Sequence, residues 1–389
     1  MTRKRRPKRP TAKDPCSEIL ESAFQTAQAD LGKSFVPDKN LAERISFIAL
    51  CPSNRAGARF LLAAALAKIH KPNVDIRKPF IGTYADADKA DAYSVRSYDE
   101  TYVSTFVSEH KLPCGSTTGS LTPGFRTKTG VLDLNQKLTG RPRQLYPAIL
   151  LVLDAIQSGK EPATNVLNEL VRFLIVERNE RQVRLESLKK GLQEEAGDLA
   201  LSSEDTVRLI EQHLDLKHSS RLPVLAVAAA YRAASEKLGE KVLRLKAHTA
   251  ADKQTGALGD VEITLSGGDK VVTTYEMKHK PVTVGDIDIA IRKIAEGAGV
   301  QNYIFVTTAL IDSAVREYAN QQYRELGGVE VAVLDCVGFL RHFLHLFHRL
   351  RTKFLDEYQE LVLSQPESGV NQALKEAFLA LRRAAQAAE

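Results

Sequence analysis

Apolar and polar positions alternate with two different periods along this chain. Over about residues 16–69 and 145–215, apolar residues recur three or four positions apart, which predicts helices, whereas 76–145 is predicted to be loop-rich and polar. A helix over 54–69 is expected to be capped by Ser53 or Asn54. Ser202 precedes Asp205 by three residues, a variant of the capping box that marks another helix start. The further helices predicted in this part cover 16–33, a stretch near 98–110, 145–159 and 163–195.

The last third of the chain mixes helices with short strands rich in β-branched residues. An apolar helix over 221–242, with Pro223 in its first turn, precedes a predicted hairpin. Strands are predicted near 244–249, 260–265, 271–279, 302–308 and 329–336, and helices over 285–297, 312–328 and 337–363. This order predicts an α/β (α+β) fold with a mixed central sheet flanked by helices, preceded by a mainly helical N-terminal region.

The predicted hairpin carries charges where a buried strand should be apolar. Because side chains alternate, Asp260 and Glu262 share one face of the first strand, and Glu276 and Lys278 share one face of the second. If 267–269 form a three-residue loop, Asp260 lies opposite Glu276, and two carboxylates this close repel unless a proton or cation lies between them. The opposite face of the first strand is expected to point into the core, with Val261, Ile263 and Leu265.

A hard divalent cation would remove this repulsion. Mg²⁺ prefers carboxylate oxygens and keeps several waters, one of which can be activated as a nucleophile. Asp260, Glu276 and the main-chain carbonyl of Met277 are the candidate ligands. Lys278 is the candidate group that poises the water and stabilises negative charge on a phosphate. The alternative is a solvent-exposed hairpin face with salt bridges, because an aspartate followed by a Glu-x-Lys triplet is a loose pattern.

The order of elements around these residues resembles the PD-(D/E)XK nuclease core. Gly259 and Asp260 stand in place of the PD pair, and residues 276–278 in place of the (D/E)XK triplet. In that superfamily the hairpin is the catalytic element, and a glutamate on the preceding helix sometimes assists. The candidates for an auxiliary acid here are Glu236, Glu240 and Glu262.

Longer stretches, over roughly residues 40–385, resemble the SacI-type type II restriction endonuclease family. They include "SNRAGARFLLAAALAKI", "LPCGSTTGSLTP", "SRLPVLAVAAAY", "AADKQTGALGDVEITL" and "YEMKHKPVTVGDIDIA". The resemblance implies a Mg²⁺-dependent enzyme that cuts both strands of double-stranded DNA at a short palindromic site. A palindromic target implies a homodimer, and restriction implies a cognate DNA methyltransferase that protects the host. Two alternatives stay open: a structure-specific or repair nuclease on the same core, and a non-catalytic DNA-binding protein.

Charge sets the N-terminus apart from the rest of the chain. Residues 1–15 hold seven Lys or Arg and one acid, so 47 of the 54 basic and 47 of the 48 acidic residues lie elsewhere. Such an arm is expected to be disordered, and it either contacts phosphates or is a solubilising leader. We therefore divide the chain into this arm, a helical DNA-recognition or dimerisation region over 16–220, and a nuclease core with C-terminal helices over 221–389.

Several polar side chains are candidates for contacting DNA phosphates or guanine edges. In each case the alternative is a surface or ion-paired residue with a structural role. These candidates are Arg55, Arg77, Lys78, Arg96, Arg126, Gln254 and Lys280.

Other classes of protein fit the sequence poorly. The longest apolar runs are far shorter than a membrane span, and no secretory signal is visible, so a cytoplasmic protein without membrane contact is expected. The four cysteines are scattered, as expected for buried thiols in a reducing compartment. No phosphate-binding glycine motif is present, which argues against ATP-driven translocation by this chain.

Overall fold

The computed structural model describes residues 14–86, 89–115, 123–126, 128, 130–138, 140–194, 200–245, 258–296 and 299–387. The chain divides into two compact units, Met1–Val183 and Arg184–Glu389. Residues 1–13, which make up most of the predicted basic arm, lie outside the described residues.

The first unit is built around one helix that is buried on all sides. Its helices are α1 (Pro15–Ala29), α2 (Lys39–Leu50), α3 (Ala56–His70), α4 (Val95–Tyr98), α5 (Ser104–Glu109), α6 (Pro123–Arg126), α7 (Leu145–Gln157) and the first part of α8 (Ala163–Glu194). Every residue of α3 from Ala56 to Ala67 is buried, so α3 is the central element. Helices α1, α2 and α7 pack against it. A π-helical turn, Asp99–Val103, joins α4 to α5, so the helix predicted near 98–110 has an irregular start.

The cap predicted for α3 is wrong. Arg55 occupies the N-cap position and makes no side-chain hydrogen bond to the helix. The Asn54 amide instead donates to the Arg141 carbonyl oxygen at 3.1 Å and to the Tyr146 hydroxyl at 3.3 Å. These partners lie 87 and 92 positions away in the sequence. Asn54 therefore makes tertiary hydrogen bonds with the side chain that would otherwise cap the helix.

The second unit contains a mixed five-stranded sheet. Its strands are β1 (Glu240–Val242), β2 (Val261–Leu265), β3 (Val271–Lys278), β4 (Asn302–Thr307) and β5 (Glu330–Asp335), in the spatial order β1-β2-β3-β4-β5. β1, β2 and β3 are antiparallel neighbours, whereas β3, β4 and β5 are parallel. The mixed central sheet predicted from the sequence is confirmed. A strand was predicted near 244–249, but the observed strand is 240–242, and residues 246–249 lie outside the described residues.

Helices cover both faces of this sheet. They are α9 (Ser203–Leu214), α10 (Leu222–Leu238), α11 (Val284–Glu296), α12 (Ser313–Glu325), α13 (Cys336–Leu346), α14 (Arg351–Ser364) and α15 (Gln372–Ala387). One face packs on α10, α13 and α14 through side chains such as Ile263 and Tyr275. The other face packs on α11 and α12 through Tyr303 and Phe305. The sheet is thus the middle of three layers, and its strands alternate their side chains between two cores.

One helix in this unit differs from the sequence prediction. The single helix predicted over 337–363 is broken at Phe347, after which a 3₁₀ turn leads into α14. Helix α9 packs against α13 and α15, so the residues between 184 and 220 lie in the same compact unit as the sheet. Within the described residues, none of the helices is both long enough and apolar enough to cross a membrane.

Candidate active site

The register of the hairpin places the predicted acids at its open end. Val261 pairs with Tyr275 and Ile263 pairs with Thr273, as predicted. The register then shifts by one residue at a bulge between Ile263 and Thr264, and the connecting loop spans 266–270. Leu265 is the last residue of β2 before the loop and is 54% exposed, so the prediction that it points into the core is wrong.

Asp260 lies immediately beside the strand that carries Glu276. Its N–H donates to the Tyr275 carbonyl oxygen at 2.8 Å, and its Oδ2 accepts a hydrogen bond from the Met277 N–H at 2.8 Å. Asp260 is therefore bonded to both neighbours of Glu276. Because the N–H and C=O of one strand residue point to the same edge, the Met277 carbonyl also points toward Asp260.

Gly259 makes this close approach of the two strands possible. A Cβ atom at residue 259 would lie 2.7 Å from the Tyr275 carbonyl oxygen and 2.5 Å from Thr274 Cγ2. The first contact is with backbone and the second with a fully buried side chain, so neither can move aside. A residue without a side chain is needed directly before Asp260.

Glu276 is held by donors from three different elements. The Tyr303 hydroxyl of β4 lies 2.6 Å from its Oε2, and the Lys293 ammonium of α11 lies 2.9 Å from the same oxygen. Lys278 on its own strand contacts Oε1 at 3.1 Å. The Glu276 side chain is only 17% exposed, so its charge is compensated by protein groups more than by water.

Lys278 bridges two carboxylates. Besides Glu276, its ammonium contacts Asp286 Oδ1 at 3.2 Å. Asp286 lies in the first turn of α11, where its Oδ2 accepts hydrogen bonds from the Thr283 N–H at 2.9 Å and hydroxyl at 2.8 Å. These bonds fix the Asp286 carboxylate, which in turn fixes the position of the lysine beside the acids.

The electrostatics of this cluster favour the charged forms. Burial alone would raise the pKa of the Glu276 carboxyl, but hydrogen bonds from Tyr303 and Lys293 outweigh it and hold that pKa below its ordinary value. Burial alone would lower the pKa of the Lys278 ammonium, but Glu276 and Asp286 outweigh it and raise the pKa. For Asp286 the hydrogen bonds from Thr283 and Lys278 likewise outweigh burial and lower the pKa.

The predicted auxiliary acids are placed at different ends of the hairpin. Glu262 is buried, and its Oε1 accepts a hydrogen bond from the Leu258 N–H at 2.9 Å, in the segment that leads to Asp260. Glu240 pairs with Leu265 at the loop end, five residues from Asp260, which is roughly 16 Å along a strand. Glu236 is exposed in the last turn of α10, just before β1. Glu240 is a strand residue, so the only candidate on the preceding helix within the described residues is Glu236.

Most of the predicted DNA contacts that the structure describes are engaged with carboxylates in the first unit. The ion pairs are Arg55 with Glu177, Arg77 with Asp75, Lys78 with Asp91, and Arg96 with Glu100. Such pairs favour the structural alternative for these four residues, and DNA contact by them stays a prediction. Lys280 is exposed two residues beyond Lys278. The Arg126 side chain and Gln254 lie outside the described residues.

Four residues of the cluster, counting Thr283, were not predicted from the sequence. Thr283 and Asp286 form a capping box at the start of α11, a local signal that could have placed Asp286 near the end of β3. Lys293 follows Asp286 by seven residues, or about two helical turns, and so lies on the same face of α11. Tyr303 gave no signal, because a tyrosine in an apolar strand is indistinguishable from a core residue.

The donor set fits a hard cation that keeps part of its water shell. Two carboxylates flank one main-chain carbonyl at the open end of the hairpin, and Mg²⁺ in proteins is commonly held by one or two carboxylates plus waters. Among the described residues, no group of three or more His, Cys, Asp or Glu side chains is arranged to hold a metal ion. A closed structural metal site of the zinc type is therefore not found in this part of the chain.

Comparison with protein-family models gives one match that overlaps the hairpin and the elements around it. Residues 199–308 match the model of the SacI restriction endonuclease C-terminal domain. The chain therefore carries a restriction endonuclease domain, and such a domain implies a nuclease that binds DNA. This match confirms, over residues 199–308, the resemblance to the SacI-type restriction endonuclease family found in the sequence. Comparison with curated proteins gave no match.

Proposed function

We propose that this chain is a type II restriction endonuclease that hydrolyses phosphodiester bonds of double-stranded DNA at a short palindromic site. The proposal includes a PD-(D/E)XK core, Mg²⁺ as cofactor, action as a homodimer, and a cognate DNA methyltransferase in the cytoplasm. The observation that carries it is the position of Asp260, which is hydrogen-bonded to both neighbours of Glu276 with Lys278 alongside. The family match of the same segment supports the reaction class.

In this proposal Asp260, Glu276 and the Met277 carbonyl hold the metal ion. When bound there, Mg²⁺ supplies a Lewis acid and an activated water. Lys278 donates to the attacking water and to the non-bridging phosphate oxygens, where negative charge increases in the transition state. Asp286 is a positioning residue, because it keeps the Lys278 ammonium at one place between two carboxylates. Tyr303 and Lys293 keep the Glu276 carboxylate oriented.

The sheet topology supports the proposed core. β3 ends at Lys278, and the parallel strands β4 and β5 end at the same edge of the sheet. In open sheets of this kind, ligands bind outside the carboxyl ends of the parallel strands. A DNA backbone at this edge would face Asp260, Glu276 and Lys278 together.

The test is cleavage of plasmid DNA by the purified full-length chain. We expect discrete fragments with Mg²⁺ and none with EDTA, and sequencing of the fragment ends gives the recognition site and overhang. Asp260→Ala, Glu276→Ala and Lys278→Ala should each remove cleavage while the protein stays folded by circular dichroism. Asp269→Ala is the matched control, since this acid is fully exposed in the loop of the same hairpin and should leave cleavage unchanged.

The outcomes separate the alternatives. Cleavage that depends on DNA structure rather than sequence would indicate a repair or structure-specific nuclease on the same core. Binding without any Mg²⁺-dependent cleavage would indicate a non-catalytic DNA-binding protein. Undiminished cutting by the Asp260 or Glu276 variant would refute the site assignment itself.

A further inference from the structure

We propose that Lys293 is the resident counter-cation of the candidate metal site, which neutralises Glu276 in the metal-free protein and competes with the divalent cation for its Oε2 atom. The proposal rests on the proposed function, because it requires Glu276 to be a metal ligand. Lys293 is thereby a positioning residue that sets how much Mg²⁺ the protein needs.

The hydrogen bonds to Glu276 show why a metal ion at Oε2 has to compete with protein donors. A carboxylate oxygen has two lone pairs, and Oε2 already has the Tyr303 hydroxyl at 2.6 Å and the Lys293 ammonium at 2.9 Å. The other oxygen, Oε1, has Lys278 at 3.1 Å. A metal ion that takes Oε2 as its ligand atom therefore has to displace the Tyr303 hydroxyl or the Lys293 ammonium, whereas Oε1 keeps one lone pair open.

Lys293 is the donor that can leave. Tyr303 is 1% exposed and fixed on β4, so its oxygen stays beside Oε2 even when its single O–H turns to the Leu258 carbonyl oxygen at 3.0 Å. Lys278 contacts the other oxygen, Oε1, and is held there by Asp286 at 3.2 Å, so it does not occupy the Oε2 position. Lys293 has a flexible four-carbon stem and a side chain that is 19% exposed, and a divalent cation would repel its ammonium group.

Removing the ammonium should therefore make metal binding easier. Lys293→Met keeps much of the stem and deletes the competing charge, and we expect the Mg²⁺ concentration at half-saturation to fall roughly tenfold, as for the loss of one charge-assisted hydrogen bond. Arg292→Met is the matched control. It removes one positive charge from the next residue of α11, whose side chain is exposed and donates to the Asp288 carbonyl oxygen at 3.3 Å. The control measures the general effect of net charge.

The experiment uses the full-length, metal-free protein without DNA. Its thermal unfolding midpoint is followed as Mg²⁺ is added, at a pH where the carboxylates are ionised. We expect Lys293→Met and Lys293→Gln to reach half-saturation at much lower Mg²⁺ than the wild type, Arg292→Met to stay close to the wild type, and Lys293→Arg to restore the wild-type value. Glutamine retains a hydrogen-bond donor without the charge, so it gives the same test if the methionine variant folds poorly.

Two results overturn the inference, and they differ from each other. If the wild type is stabilised by Mg²⁺ but both neutral variants need as much of it as the wild type, Lys293 does not compete and the proposed function stands. If Mg²⁺ gives no stabilisation, or one that persists in Asp260→Asn with Glu276→Gln, the metal site itself is wrong. As a second measurement, the Mg²⁺ concentration for half-maximal plasmid cleavage should fall in the same variants.

Discussion

Gly259→Ala offers the sharpest test of how the backbone positions the candidate acids. The added Cβ would lie 2.7 Å from the Tyr275 carbonyl oxygen and 2.5 Å from Thr274 Cγ2. Relief of such contacts requires a shift of the chain just before Asp260, whose N–H donates to that same carbonyl oxygen. Overpacking of this kind costs about 1–3 kcal/mol. A displacement of about 1 Å at a reacting group can lower the rate about a hundredfold.

Urea unfolding and plasmid cleavage measure the two effects separately. Gly267→Ala is the matched control, since the same methyl group in the loop of this hairpin meets nothing within 4 Å and should change neither property. Adding Thr274→Ser to Gly259→Ala removes the Cγ2 contact but leaves the carbonyl contact, so only part of the stability should return. If Gly259→Ala is as stable and as active as Gly267→Ala, the close approach of the two strands is wrong.

Two further predictions concern buried polar groups away from the hairpin. His213 is fully buried between the Tyr358 hydroxyl and the Leu374 carbonyl oxygen, and burial lowers its pKa to about 4. Because its folded pKa lies below 6.5, stability should fall by roughly 3 kcal/mol as the pH drops from above 6.5 toward 4, and unfolding curves of His213→Gln should lack that part of the pH dependence. In the first unit, Arg59→Met leaves Asp99 (1% exposed side chain) without its arginine and should cost about 3–5 kcal/mol. The double variant with Asp99→Leu should recover most of that loss in the same unfolding assay, and a loss equal to the sum of the single changes would contradict the prediction.

The parts of the hairpin that the sequence predicted correctly follow from a local rule. Side chains alternate along a strand, so the pairing of Val261 with Tyr275 could be predicted once a turn was assumed. The prediction for Leu265 was wrong because this residue ends β2 at the loop, beyond the helices that cover the sheet, and alternation alone does not show where that cover stops. The cap predicted for α3 was wrong because the Asn54 amide donates hydrogen bonds to residues 87 and 92 positions away.

The charged surroundings of Glu276 were the least predictable part of the site. Lys293 is 17 positions from Glu276 and reaches it only because α11 folds back over β3. Tyr303 comes from a neighbouring strand that the sequence marked only as apolar. The identities of the acids thus follow from strand periodicity, whereas the groups that set their charge depend on how α11 and β4 pack against that strand.

The bulge between Ile263 and Thr264 determines how this hairpin tolerates insertions and deletions in its loop. It absorbs the register shift before the turn, so the pairs that flank Asp260 do not depend on the length of the segment 266–270. The partner strand is also fixed from the other side, since Thr273–Lys278 pair residue by residue with Asn302–Thr307. Insertions or deletions at the tip should therefore be accommodated there, while the spacing of the acids at the opposite end stays the same.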